Sequence, residues 1–161
     1  LIVVQMAQTK LLIVASGSGG HIIPAMTLAD LAIQKDWSIA WIGSNKTIED
    51  HWYKNKRFPI YRVPIAGIRG KSIFAYTKLP FQIIRALCFS LYVCKKEKPQ
   101  AVLCMGSFAS GPAGLAAKIL SIPLYLHESN AVLGLANRLL LTLSTRLFCG
   151  LPVCNKSNKI L

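Results

Sequence analysis

The run Lys10-Leu11-Leu12-Ile13-Val14-Ala15 passes directly into Ser16-Gly17-Ser18-Gly19-Gly20-His21, and few folds accommodate such a junction. A short, continuously apolar segment with β-branched members reads as a strand buried on both faces, and the glycines that follow end it in a tight loop. Residues 22–35 then read as a helix. Ile22, Met26, Ala29 and Ile33 hold one side, Thr27, Asp30 and Gln34 the other, and Pro24 suits a first helical turn.

The same alternation continues along the chain. Residues 37–43 read as a second strand, 59–63 as a third after a helix around 46–54, and 72–98 as a long helical stretch broken or started near Pro80. Residues 100–105 read as a strand ending in the loop Gly106-Ser107-Phe108-Ala109-Ser110-Gly111-Pro112. A helix over 113–120, a strand over 122–127, a helix over 132–145 and a short strand over 146–150 complete the pattern. Continuously apolar strands alternating with helices predict an α/β domain, a doubly wound parallel sheet covered on both faces. At 161 residues a single domain is expected. It spans 10–150, between an extension at 1–9, where Met6 reads as a start, and a tail at 151–161. The apolar opening before Gln5 is shorter than the roughly 7–15 residues of a signal-peptide core, so export is not expected.

In such a sheet the ligand sits at the carboxyl ends of the strands. That edge receives the first glycine loop, the 106–112 loop and the run His127-Glu128-Ser129-Asn130. The first loop offers backbone N–H groups and a positive helix end, which together bind phosphate without a cationic side chain; a plain tight turn is the other reading. The 106–112 loop is a second candidate. Neither nucleotide fingerprint fits: a dinucleotide pattern counted from Gly17 requires glycine where Ile22 stands, and Gly67-Ile68-Arg69-Gly70-Lys71-Ser72 requires a Walker glycine where Ile65 stands. His21 starts the first helix, where a neutral imidazole can take a proton as a general base; capping or a supporting contact reads equally well. Glu128 is the sole carboxylate after Glu97. At a strand end it can bind a hydroxyl, orient a histidine, take a proton, or simply be solvated.

Nineteen Lys and Arg against 6 Asp and Glu give a net charge of +13, which calls for an anionic partner: nucleic acid, a phosphorylated ligand or a membrane surface. Nucleic acid is disfavoured, because the chain has no helix-turn-helix, zinc or RNP signature. Residues 73–96 approach the length of a membrane span but carry Lys78, Pro80, Gln82 and Arg85. Charge at a helix centre costs about 2.5–3.5 kcal/mol on insertion scales, so crossing is not expected. This stretch reads either as a core helix or as a helix whose aromatic and basic outer face lies on anionic lipid, with Lys95, Lys96 and Lys98 adding attraction. Five cysteines without a C-x-x-C pair suit reduced thiols in a cytosolic protein rather than a disulfide frame or a zinc site.

Taken together, Gly17-Ser18-Gly19-Gly20-His21-Ile22-Ile23-Pro24-Ala25, Gly67-Ile68-Arg69-Gly70-Lys71, Met105-Gly106 through Ser110-Gly111-Pro112, His127-Glu128-Ser129-Asn130 and Gly134-Leu135-Ala136-Asn137-Arg138 occur in the order and spacing of the MurG family. From about residue 10 to 150 the chain resembles the N-terminal half of that family. The resemblance implies the Rossmann-like, acceptor-binding domain of a GT-B glycosyltransferase. The implied activity is inverting transfer of N-acetylglucosamine from UDP-N-acetylglucosamine (UDP-GlcNAc) to lipid I, giving lipid II for peptidoglycan. The implied place is the cytoplasmic face of the bacterial inner membrane, as a peripheral protein. By matching position, Ser18, Gly19, Gly20 and Asn130 would bind UDP-GlcNAc or the diphosphate. His21 and Glu128 would be catalytic, with His21 the candidate base, and Gly106, Ser107, Phe108, Ser110 and Gly111 would form the acceptor loop. No cofactor or metal is implied; the chain has no Asp-x-Asp, and N–H groups would stabilise the leaving charge.

Departures from the family pattern are local. Ser16 and Ser18 replace a glycine and a threonine, Cys104, Ser107 and Phe108 replace Gly, Gly and Tyr, and Ser129 replaces Gln. Phe108 lacks the tyrosine hydroxyl, which removes one acceptor contact. The chain also stops just before the segment that in the family leads to the donor-binding domain. The resemblance therefore implies that this polypeptide binds lipid I or anionic vesicles but does not turn over alone. The alternative is a stand-alone, membrane-anchoring acceptor subunit that recruits a separate UDP-sugar-binding domain.

Overall fold

The computed structural model describes residues 8–44, 47–54, 56–64 and 77–151. The elements in chain order are β1 (Lys10–Val14), α1 (Gly19–Ile33), β2 (Ser38–Gly43), α2 (Thr47–Tyr53), β3 (Ile60–Arg62), α3 (Leu79–Glu97), β4 (Ala101–Cys104), α4 (Ser110–Ile119), β5 (Leu124–Glu128), α5 (Leu135–Leu140) and β6 (Arg146–Cys149). The strands form one six-stranded sheet in the order β3-β2-β1-β4-β5-β6. Every neighbouring pair is parallel. Leu11 pairs with Ile39 on one side and Ala101 on the other, so the strand order reverses at β1. The crevice beyond the carboxyl ends of β1 and β4 is therefore the topological switch point.

Period-2 alternation sends the apolar runs to both faces. Leu12, Val14, Ala40, Ile42, Val102 and Cys104 pack on one side with Ala86 and Val93 of α3 and Ala113 and Ala117 of α4. Leu11, Ile13, Ile39 and Trp41 face the other side, where α1 contributes Ile22, Ala25, Met26 and Ala29. Trp41 is fully buried, and its indole N–H is satisfied by the Ala15 carbonyl at 3.1 Å and the Tyr53 hydroxyl at 3.0 Å. On this second face Phe148 stacks on Tyr125 with ring centroids 6.2 Å apart and stays 40% exposed. At the β5–β6 edge this face is thus less fully covered than over β1 and β2.

Helix boundaries differ from the sequence reading in ways that shape the crevice. α1 begins at Gly19, not 22, so Pro24 falls in its second turn. Proline has no N–H for the Gly20 carbonyl, which is left to accept the Ser129 hydroxyl at 3.3 Å. α4 begins at Ser110, with Pro112 in its first turn. The helix expected over 132–145 is only Leu135–Leu140; the chain then turns, with the Ser144 N–H donating to the Leu140 carbonyl at 2.9 Å. α3 is closed by Lys98 in the left-handed region (φ +48°), with its N–H on the Cys94 carbonyl at 2.9 Å. No helix among the described residues is long and apolar enough to cross a membrane. Cys88, Cys94, Cys104 and Cys149 are free thiols. Met6, the segment 67–72, residues 73–76 and Cys154 lie outside the described residues.

Candidate functional site

The glycine loop leaves β1 through Gly17, whose φ of +97° lies in the region that favours glycine. Ser18 is the extended N-cap of α1 (φ −107°), and its side chain makes no capping hydrogen bond. Its carbonyl accepts the N–H groups of His21 at 3.1 Å and Ile22 at 3.2 Å. The first helical N–H groups, on Gly19 and Gly20, have no intrahelical acceptor, and they sit at the positive end of a 15-residue helix. An anion is the natural occupant of such a cradle.

Gly106 closes the crevice from the β4 side. Its φ is +82°, and a Cβ there would lie 3.0 Å from Asn137 Nδ2, 3.5 Å from the His127 carbonyl oxygen and 3.6 Å from His21 Cε1. α1, the β4–α4 loop, the end of β5 and α5 thus meet around one residue. Ser16 Oγ, His21 Nδ1, His127 Nδ1 and Asn137 Oδ1 are buried polar atoms without a hydrogen-bond partner. Buried polar atoms are almost always paired, so this set describes a place that a polar ligand group or water completes. With Nδ1 of His21 buried, Nε2 is the nitrogen left to a substrate. Burial lowers the His127 pKa; the Glu128 carboxylate offsets this in part, and the neighbouring His21 lowers it again.

Glu128 is 1% exposed, which removes the solvated reading. Its Oε1 accepts the Asn130 N–H at 3.0 Å and the Asn130 side-chain amide at 2.7 Å, and its Oε2 accepts the Gly134 N–H at 2.9 Å and the Asn137 amide at 3.0 Å. Burial pushes its pKa up, but the Gly134, Asn130 and Asn137 donors outweigh that and hold it below the usual carboxylate value. A carboxylate so occupied fits the orienting role better than proton transfer: through Asn137, which also donates to the His127 carbonyl at 3.0 Å, it fixes the wall facing His21. The Asn130 side chain, expected on the ligand, is exposed and gives one amide N–H to Glu128.

The acceptor-loop residues separate into two groups. Ser107 and Ser110 are buried and their hydroxyls pair at 3.4 Å, fixing the start of α4. Gly106, Phe108 and Gly111 border an apolar groove of about 540 Å³ between α3, α4 and α5, with Leu79, Ile83 and Leu139 among its walls. Phe108 therefore belongs to an apolar surface, where the missing hydroxyl leaves no unmet partner. Beside the groove, Phe81 (71% exposed), Ile84, Leu135 and Leu139 form an exposed apolar rim.

Sequence reasoning did not single out Ser16, His127, Asn137 or Glu49. His127 and Asn137 lie inside quoted motifs, so adjacency to Glu128 and Gly134 was the available signal. Glu49 is also fully buried, and its Oε1 accepts the Gly17 N–H at 2.7 Å. In sequence it is indistinguishable from its neighbour Asp50.

The profile of the glycosyltransferase family 28 N-terminal domain matches residues 11–149. A curated relative from Histophilus somni (strain 129Pt), named UDP-N-acetylglucosamine–N-acetylmuramyl-(pentapeptide) pyrophosphoryl-undecaprenol N-acetylglucosamine transferase, is 42% identical over 89% of this chain and 40% of its own length. Among solved structures, Acinetobacter baumannii MurG superposes with a TM-score of 0.83 at 30% identity, covering 95% of this chain and 45% of that one. The UDP-GlcNAc 2-epimerase of Methanocaldococcus jannaschii shares the fold alone, with a TM-score of 0.66 at 19% identity over 95% of this chain and 45% of that one. The chain thus spans about 40% of the length of the curated relatives it matches. On the match over residues 11–149, the chain belongs to the glycosyltransferase family 28 N-terminal domain family.

Proposed function

We propose that this chain is the acceptor-binding part of an N-acetylglucosaminyltransferase that carries GlcNAc from UDP-GlcNAc to lipid I, forming lipid II in cell-wall synthesis. The observation that carries the reading is the crevice itself: His21, His127 and Asn137 meet at Gly106, the free N–H groups of the glycine loop open the same helix that carries His21, and Ser16, His21, His127 and Asn137 each hold a buried polar atom without a partner. In this reading the 10–150 domain binds the lipid acceptor, and UDP-GlcNAc is held mostly by a second domain, in the same polypeptide or a partner. His21 Nε2 removes the proton of the muramyl 4-hydroxyl as that oxygen attacks the anomeric carbon from the face opposite UDP. The C–O bond to UDP breaks in the same step, inverting the configuration. Ser18, Gly19 and Gly20 take diphosphate charge on their N–H groups, which require no reorganisation as the charge develops. Glu128, with Asn130 and Asn137, keeps the far wall in place.

The lipid side of the reading rests on α3 and α5. Phe81, Ile84, Leu135 and Leu139 are 71%, 58%, 73% and 67% exposed, and Arg85 and Arg138 are basic residues on the same helices. An apolar rim with cations beside it suits the surface of an anionic bilayer, so we place the protein peripherally at the cytoplasmic face of the inner membrane. The groove between α3, α4 and α5 runs from that rim to Gly106.

A chimera joining this chain to the remaining part of the Histophilus somni relative tests the assignment. It is expected to transfer radiolabelled GlcNAc to a lipid I analogue, and His21→Ala is expected to lower turnover about 10²–10⁴-fold while retaining acceptor binding. A folded chimera that binds UDP-GlcNAc yet forms no product would falsify the proposal.

A further inference from the structure

Glu49 takes no part in the chemistry above, yet it is a fully buried carboxylate on α2. The Gly17 N–H donates to its Oε1 at 2.7 Å, the Ser44 N–H to its Oε2 at 2.8 Å and the Tyr53 hydroxyl to its Oε2 at 3.1 Å, and the Ser44 hydroxyl also donates to Oε1. The ion pairs among the described residues do not include it; Arg62, on the neighbouring strand, is taken by Asp50. Backbone N–H groups cannot become acceptors, so this pocket is built for a group with an acceptor oxygen on each side. An amide there would set its NH2 against either the Gly17 or the Ser44 N–H, whichever way it turned. β2 comes this close because it ends in Gly43. A Cβ there would sit 2.6 Å from the Tyr53 hydroxyl and 3.1 Å from Glu49 Oε2.

The bond to Gly17 joins residues 32 apart and ties the entry of the anion loop to the β2–α2 turn. Gly17 is in a positive-φ conformation that needs holding. With its N–H engaged by Glu49, the N–H groups of Ser18, Gly19 and Gly20 are the ones left for an incoming anion. We infer that Glu49 is a positioning residue of the anion site, fixing the Gly17 N–H so that the next N–H groups stand ready for a diphosphate. This rests on the reading of the loop as a diphosphate site. Glu49 touches no substrate; it acts through the backbone of the loop.

The test uses the isotope-labelled 161-residue chain with inorganic pyrophosphate as probe. A scalar coupling across the hydrogen bond from the Gly17 nitrogen to the Glu49 carboxyl carbon is expected in the wild-type chain and is expected to persist at saturating pyrophosphate. Glu49→Gln should abolish it, speed exchange of the Gly17 amide about tenfold and weaken pyrophosphate binding about tenfold. Asp50→Asn, and Leu147→Ala as a core variant that loses thermal stability far from the loop, should both hold pyrophosphate affinity within about twofold. If Glu49→Gln does not fold, Glu49→Asp, which keeps the charge and shortens the reach, takes its place. Absence of the coupling in the wild-type chain overturns the inference. So does binding by the Glu49 variant within about twofold of wild type, or equal weakening by Leu147→Ala. If the wild-type coupling is present but pyrophosphate does not bind, the diphosphate reading of the loop falls, and this role of Glu49 falls with it.

Discussion

Glu49 and Glu128 flank the same crevice from opposite sides of the strand reversal, and both are fully buried carboxylates accepting four hydrogen bonds, with no ion-pair partner among the described residues. They differ in what they join. Glu128 gathers donors from Asn130, Gly134 and Asn137, all within 9 residues of itself, so it shapes a local turn. Glu49 reaches back 32 residues to Gly17 and locks two separate crossovers together. The surroundings differ too: Asn130 is exposed, whereas Ser44 and Tyr53 are buried. Water can replace Glu128 at its exposed Asn130 donors more readily than it can replace Glu49 at the buried Ser44 and Tyr53 donors. A carboxylate can therefore serve either as a local brace near solvent or as a long-range tie in the interior, and the energetic consequence of losing it depends on which.

The largest effect should come from Glu49→Ala. It orphans several buried donors at once and is expected to cost about 4 kcal/mol, read from urea unfolding. Glu128→Ala should cost about 2 kcal/mol, because solvent satisfies part of its donor set. Equal losses would break the comparison. Glu128 also carries a pH signature. Its folded-state pKa lies below the ordinary glutamate value of 4.5, so its contribution is fully present above that pH and is lost as the pH falls through the lowered value. Urea midpoints of the wild-type chain should drop more steeply below pH 4.5 than those of Glu128→Gln.

Gly106→Ala comes next, at about 1.5 kcal/mol, since it places a side chain at positive φ. The Cβ would also crowd Asn137 Nδ2 at 3.0 Å, so acceptor binding should weaken alongside stability. The smallest effect is expected for Asn130→Ala, under about 1 kcal/mol, because its exposed amide is replaceable by water. A loss for Asn130→Ala as large as that for Glu128→Ala would show that the turn depends on the amide rather than on the carboxylate.

These two acids also mark how far the sequence was legible. Glu128 stood out because the second half of the chain is nearly free of carboxylates and because it sits inside a strand-end run. The alternating apolar runs were legible for the same kind of reason: a parallel strand needs apolar residues on both faces, and that requirement is written locally. The start of α1 was not, because the residues at 19–21 are two glycines and a histidine, with no apolar periodicity before Ile22. Their helicity comes from the Ser18 carbonyl accepting the N–H groups of His21 and Ile22. The over-long helix expected at 132–145 has a similar cause. Its apolar residues continue past Leu140, but the chain turns there so that the Thr145 N–H can reach the Leu124 carbonyl at 2.7 Å. Glu49 was invisible because its partners, Gly17, Ser44 and Tyr53, become neighbours only when two crossovers are folded against one another.

The central claim, that the crevice around Gly106 takes the acceptor, is tested most directly by titrating the isotope-labelled chain with a water-soluble lipid I analogue carrying a short prenyl chain. The account predicts saturable amide shifts concentrated at Ser18, Gly19, Gly20, His21, Gly106 and Asn137. Saturation with those amides unmoved, and with shifts confined to α3 or to the open sheet face at Tyr125 and Phe148, would contradict it.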